Sequence, residues 1–293
     1  MSALIFYIFL PFIYLISILP FRLLYLISDW LYFLLFYCIS YRKDVVMQNL
    51  RNSFPEKTEA DLKIICKKFY HHLCDMTLET FKTLTIDKDT MLKRCTFDPE
   101  SLALLEGLAA KDQNVILVMG HYGNWEWAGN TFSLLCTHRL YVIYHPLANK
   151  HFDKLLHDMR TRFGTKLIPM KETYRVMLDN NKMELSTTAF IADQAPSPNN
   201  AYWTTFLNQD TPVFKGTEII ATKINYPIVY SRVEKLKRGH YTLYVEMLCE
   251  NPSSTKEGEI SELHTRKLEK DIIAAPETWL WSHKRWKHKR PIN

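Results

Sequence analysis

Two side chains in the run Val115-Ile116-Leu117-Val118-Met119-Gly120-His121-Tyr122-Gly123-Asn124-Trp125-Glu126-Trp127 have the types and spacing for acid–base chemistry: His121 and Glu126. A neutral imidazole takes the proton of a hydroxyl as its oxygen attacks an acyl carbonyl, while a carboxylate fixes the ring tautomer and stabilises the imidazolium that forms. No serine or cysteine need be acylated. A bare H-x4-E is common by chance, and its bland reading is a loop histidine beside an ordinary first-turn glutamate. The spacing is not the i, i+4 pair of helical zinc sites and no third ligand lies nearby, so no metal is expected.

The surrounding residues supply the elements that must hold the pair. Five consecutive apolar residues, Val115 to Met119, suit a short strand covered on both faces. Gly120 and Gly123 let the chain turn sharply on either side of His121. Asn124 is placed as N-cap, which puts Trp125 and Glu126 in the first helical turn, where the dipole favours a carboxylate. Glu126 is then expected to bend back and hold the imidazole, and Asn124 joins the substrate or oxyanion candidates. Downstream, strand-like runs at 141–144, 166–168 and 188–192 alternate with helical runs at 149–163 and 173–178. This alternation predicts an α/β fold, a mainly parallel central sheet flanked by helices. Ligands bind beyond the carboxyl ends of such strands, where His121 and Asp193 both fall, so the two are expected to be neighbours. The turn-rich segment 194–201 and the apolar residues after it line an acyl channel or form an ordinary packed loop. Further on come a helical run through Ile224, strands at 228–233 and 241–248, and a polar break at 251–258 before a last helix.

The N-terminus reads differently. From Ala3 to Ser40 the only charges are Arg22 and Asp29, a run long enough to span a bilayer. Pro11 and Pro20 would bend it, so it is expected to be a bent anchor or two short helices lying partly in the interface. Residues 1–42 are therefore assigned as the membrane anchor and 43–293 as one domain, with Arg42, Lys43 and Arg51 keeping that domain in the cytoplasm. Thr58 and Asp61 form a capping box opening a helix, on which His71 and His72 are expected at the surface or its boundary. The formal charge of +6 favours anionic surfaces, phosphorylated substrates or an acidic partner. Six cysteines without a paired spacing read as reduced core residues.

The motif HYGNWEW at His121–Trp127, Ala192-Asp193-Gln194 after a strand, and Pro276-Glu277-Thr278-Trp279-Leu280-Trp281-Ser282-His283-Lys284-Arg285-Trp286 resemble the late acyltransferases of lipid A biosynthesis. The likeness spans nearly the whole chain and includes Asn49-Leu50-Arg51-Asn52-Ser53-Phe54-Pro55-Glu56 after the apolar start. It implies a glycerolipid-acyltransferase-like fold and transfer of a fatty acyl chain from a thioester to a hydroxyl of a lipid A precursor. His121 would be the base and Glu126 its orienter, with no cofactor. The donor implied is acyl carrier protein, with acyl-CoA left open. The place implied is the bacterial inner membrane, with the site on its cytoplasmic face. An arginine and an aspartate linked with activity match Arg160 and Asp193, although Arg162 lies two residues on and leaves the register open. Physically, the guanidinium would meet the developing oxyanion or a substrate phosphate, and Asp193 would hold it by a bidentate pair.

In the tail, Trp279, Trp281 and Trp286 alternate with Lys284, Arg285 and further basic residues. Such interleaving fits a headgroup-level surface, and no nucleic-acid-binding signature accompanies it. Two alternatives stand beside the favoured reading. One is a glycerolipid or aminolipid O-acyltransferase using the same dyad, the other a membrane-anchored lipid-binding protein without turnover.

Overall fold

The computed structural model describes residues 3–179 and 184–291, so the first two residues of the expected anchor lie outside the described residues. The chain opens with helices α1 (Ala3–Ile18), α2 (Phe21–Phe33) with a π-helical extension at Leu34–Cys38, α3 (Lys43–Ser53), α4 (Glu59–Lys82) and α5 (Lys88–Arg94). Then follow β1 (Cys95–Phe97), α6 (Pro99–Ala109), β2 (Val115–Met119), α7 (Trp125–Leu135), β3 (Arg139–Tyr144) and α8 (Lys150–Thr161). The second half holds β4 (Lys166–Pro169), α9 (Thr173–Leu178), β5 (Ser186–Ile191), β6 (Ala201–Phe206), β7 (Gln209–Phe214) and α10 (Gly216–Ile224). It closes with β8 (Ile228–Lys237), β9 (His240–Cys249) and α11 (Glu259–Ala274).

Seven strands form one sheet in the order β1-β9-β8-β2-β5-β3-β4. The five from β8 to β4 run parallel, β9 runs antiparallel to β8, and β1 lies parallel to β9. The expected α/β architecture is therefore observed. β2 sits at the centre and is buried along its whole length. Val115, Leu117 and Met119 pack against Trp127 and Phe132 on one face, and Ile116 and Val118 against Ile220 and Ile260 on the other. That alternation is the period of two of a strand covered on both sides, which is why the run carries no polar residue.

Two features were not legible in advance. β1 is three residues long and pairs at an edge. β6 and β7 form a separate antiparallel hairpin, turning through Leu207 and Asn208 at φ 48° and 61°. Two consecutive left-handed residues are what a tight two-residue hairpin requires.

The N-terminal helices present two unlike faces. On the inner face of α2, Tyr25 donates to Glu79 at 2.8 Å, Ser28 to Asp75 at 2.7 Å, and Asp29 accepts from Arg238 at 2.6 Å. On α1, Phe6 and Ile13 pack with Leu155 and Met159 of α8. The outer faces carry Phe12, Leu26 and Trp30, which are 58, 64 and 64 % exposed. Phe21–Cys38 is a helix long and apolar enough to cross a membrane.

Candidate active site

Parallel register places the two central residues. Met119 is paired with Ile191, so His121 and Asp193, each two residues beyond that pair, emerge level with one another from adjacent strands. His121 Nδ1 lies 2.6 Å from Asp193 Oδ1, and the His121 backbone N–H donates to Oδ2 at 2.8 Å. The Trp279 indole N–H donates to the same Oδ2 at 2.7 Å. Burial works against ionising Asp193, but the imidazole charge and these three donors outweigh it and hold the carboxyl down at about 2. An ionised Asp193 accepts a hydrogen bond from Nδ1–H, which leaves the Nε2 lone pair free. The Gln194 amide lies 3.4 Å from Nε2.

The turn carrying His121 is fixed from both sides. On one side the C-terminal segment pairs with it: Gly123 N–H donates to Thr278 O at 3.0 Å and Leu280 N–H to His121 O at 3.1 Å. On the other, His72 Nε2–H donates to Gly123 O at 3.2 Å, and Asn124 donates to the buried Glu79 at 2.8 Å. Gly123 has φ +66°, and a Cβ there would lie 2.2 Å from Val233 O, so both the turn and the close approach exclude a side chain. At Gly120 a Cβ would meet Leu268 at 2.6 Å and stand 3.2 Å from Asp193 Oδ2.

Glu126 does not hold the imidazole, contrary to the expectation from its nearness in sequence. It makes a two-point pair with Arg160, to Nε at 2.9 Å and Nη2 at 2.5 Å. The reason is electrostatic. Glu126 stands in the first turn of α7 and Arg160 in the last turn of α8, so each sits at the favourable pole of its helix, and a planar guanidinium offers a carboxylate two parallel donors where an imidazole offers one. Burial opposes the Arg160 charge, and Glu126 more than restores it. The expected Asp193–Arg160 pair is corrected with it: Asp193 serves His121, and Glu126 serves Arg160.

Other expectations fall out differently too. Asn124 caps α7 by accepting from Trp127 N–H at 3.0 Å and spends its amide on Glu79, so it has nothing to offer a substrate. Arg162 donates to Thr83 O and Ile86 O at 2.5 and 2.6 Å and ties down the chain after α4. His72 is buried rather than superficial, and burial pushes it down to about 3, a neutral ring that supports the turn. In the tail, Trp279, Trp281 and Arg285 are buried and Trp286 is half-buried, while Lys284 is exposed. The buried three cannot form a headgroup surface, because the strand-like pairing of Trp279 with Tyr122 folds the segment against the turn that carries His121. Trp279 is the site residue that composition concealed, since an amphipathic aromatic looks alike in a core and at an interface.

A cavity of about 280 Å³ opens beside this constellation. Its lining includes the polar His121, Glu126, Arg160 and Gln194 and the apolar Leu117, Phe132, Leu140, Leu156 and Ala189. The wall comes mainly from strands, α7 and α8; from the segment 194–214 it takes only Gln194. Among the described residues no group of three or more histidine, cysteine or acidic side chains could hold a metal ion.

A histidine held by a carboxylate at the strand ends of an α/β sheet, beside a largely apolar cavity, has the geometry of a general-base site. The chain matches the family model for bacterial lipid A biosynthesis acyltransferases over residues 1–288 and belongs to that family. It is accordingly an acyltransferase of lipid A biosynthesis. No curated protein matches it.

Proposed function

We propose that the protein transfers a fatty acyl chain from a thioester on acyl carrier protein to a hydroxyl of a lipid A precursor, with His121 as general base and Asp193 as its orienter. The observation that carries this reading is the 2.6 Å contact of Nδ1 with Asp193, which leaves Nε2 as an acceptor beside the cavity. Nε2 takes the acceptor's hydroxyl proton as its oxygen attacks the thioester carbonyl. The tetrahedral oxyanion then collapses with departure of the thiolate, which takes the proton back from the imidazolium. Arg160 has given Nε and Nη2 to Glu126, so Nη1 is the nitrogen that meets negative charge in the cavity, either the oxyanion or an acceptor phosphate. The apolar lining suits the acyl chain, and an acidic carrier suits the basic balance of the protein.

The reading places the enzyme on the cytoplasmic face of a bacterial inner membrane. The outward apolar faces of α1 and α2 support it as the anchoring surface, and the Asp29–Arg238 ion pair with the Tyr25 and Ser28 hydrogen bonds on the inner face of α2 favours helices lying against the bilayer with the domain attached. The deciding assay is acyl transfer by the purified protein from acyl carrier protein to a lipid A precursor, read by mass spectrometry. His121→Ala lowers the rate about 10²- to 10⁴-fold with the fold retained. Full activity of that variant overturns the mechanism, and acylation of a glycerophospholipid in place of the precursor overturns the acceptor.

A further inference from the structure

Arg285 is 2 % exposed, and Nη2 alone of its nitrogens has a partner, Pro212 O at 2.6 Å. Nε and Nη1 have none among the described residues. A buried cation with unmet N–H groups is costly enough that something normally meets them. His264 on α11 is 3 % exposed, and its Nε2 is unpartnered as well. Arg285 and His264 line a cavity of about 10 Å³ whose wall also carries Asp193 and Thr265, every lining residue being buried. A single water needs about 10–15 Å³ for its centre and two to four polar partners. Arg285 offers two donors and His264 one ring nitrogen. Asp193 keeps about one of a carboxylate's roughly four lone-pair positions after its three bonds. Burial pushes the Arg285 guanidinium down to about 10, and Asp193 is the charge that opposes the shift. Burial also lowers His264, to about 4, so its ring is neutral.

We propose that this cavity holds one ordered water, which accepts from Arg285 and donates to Asp193, and that Arg285 is a positioning residue whose charge opposes protonation of the His121–Asp193 pair. The role in turnover rests on the reading of His121 as base, while the electrostatic effect is independent of it. The titratable groups facing this corner are His121 after β2, Asp193 after β5, Tyr230 on β8, Glu262 and His264 on α11, and His283, Arg285 and the exposed Lys287 in the C-terminal segment. Of these, Arg285 is the buried permanent positive charge. Removing it makes the pair easier to protonate whether the proton settles on the ring or on the carboxyl, so the sign of the effect is fixed.

The test uses the full-length protein in detergent micelles with carbon-13-labelled histidine, the His121 signal being identified by its loss in His121→Gln. In Arg285→Met the His121 titration midpoint rises by at least about half a pH unit, whereas Arg285→Lys, which keeps the charge, stays near the unaltered protein. The acid limb of the rate–pH profile moves the same way. A role in folding alone lowers the melting temperature and leaves the midpoint in place, and a coincident midpoint in a folded Arg285→Met or Arg285→Gln overturns the electrostatic claim. A high-resolution crystal structure of the unaltered protein decides the water directly: density bonded to Arg285 and Asp193 supports it, and an empty cavity refutes it. Failure of the base assignment shows separately, as activity surviving in His121→Ala while the titration shift persists.

Discussion

Asp193→Asn changes one atom and sets the tautomer of His121. In the wild type, Oδ2 accepts two N–H groups, from the His121 backbone and Trp279, and Oδ1 faces Nδ1. An asparagine keeps its single carbonyl oxygen where the two donors are, because the opposite flip aims an amide N–H₂ at two buried N–H groups. The amide nitrogen then faces Nδ1, which has to become an acceptor, so the ring proton moves to Nε2 and points into the cavity. A ring in that form cannot take the hydroxyl proton. Loss of the correct tautomer costs a base of this kind about 10⁴-fold in kcat, and KM should move little because Asp193 does not line the large cavity beside His121. The same variant has a signature in stability. Asp193's folded value of about 2 lies below its ordinary 3.8, so its ionisation stabilises the fold above pH 4 and that contribution is lost as pH falls towards 2. The stability gap between wild type and variant, roughly 2 kcal/mol at neutral pH, therefore closes over that window. Initial rates and denaturant melts at pH 7 and pH 3 measure both. A variant with wild-type kcat refutes the assignment of Asp193, and a gap that widens on acidification refutes the electrostatics.

Arg160→Lys is expected to lose most activity because one ammonium cannot reproduce a two-point pair, and Glu126→Gln to lose a comparable factor. The Glu126–Arg160 double variant should be little worse than either single one, so multiplicative losses in kcat/KM would show independent roles. Leu26→Glu with Trp30→Glu alters only the outer face of α2, and should release the protein from vesicles while its melting temperature stays within a few degrees; unchanged co-sedimentation at high salt contradicts the anchor. Gly129→Ala adds a methyl whose nearest neighbour is Leu140 Cδ2 at 3.7 Å, inside the cavity wall and within α7. It should raise stability by about 0.5–1 kcal/mol and shift the preferred acyl chain shorter, as competition between donors of different length will show.

Much of the scaffold was legible because local patterns answer to local physics. The five apolar residues of β2, the Asn124 cap of α7 and the Thr58–Asp61 capping box need only neighbours a few residues away. The nearness of His121 and Asp193 was legible too, through the rule that strand ends gather ligands. What stayed hidden was the choice of carboxylate. Glu126 is five residues from His121 and looked the natural partner, but the partner is decided by register with a strand seventy residues on and by a guanidinium from α8, neither of which leaves a mark near His121. The tail misled for a related reason: tryptophans among basic residues read as an interface until pairing with Tyr122 turns Trp279 and Arg285 inward. His72 was unreadable in the same sense, since its partner is the Gly123 backbone carbonyl in the turn after His121.

The N-terminal helices bear on the site through one buried residue, which governs how truncations must be read. Glu79 of α4 accepts from Tyr25 on α2, from Tyr241 on β9 and from Asn124 at the head of α7, and its backbone carbonyl takes the Trp127 indole. Burial raises the Glu79 carboxyl, so its ionised form depends on these donors. Deleting residues 1–40 removes Tyr25 from Glu79, Ser28 from Asp75 and Asp29 from Arg238 together. Each loss leaves a polar group short of a partner, at about 1–3 kcal/mol where the group is buried, and the first lies one contact from the Asn124 cap that sets the turn of His121. A truncated protein that loses activity therefore reports on the His121 turn as much as on the membrane. Substitutions confined to the outer faces of α1 and α2 leave those contacts whole, and so separate attachment from catalysis.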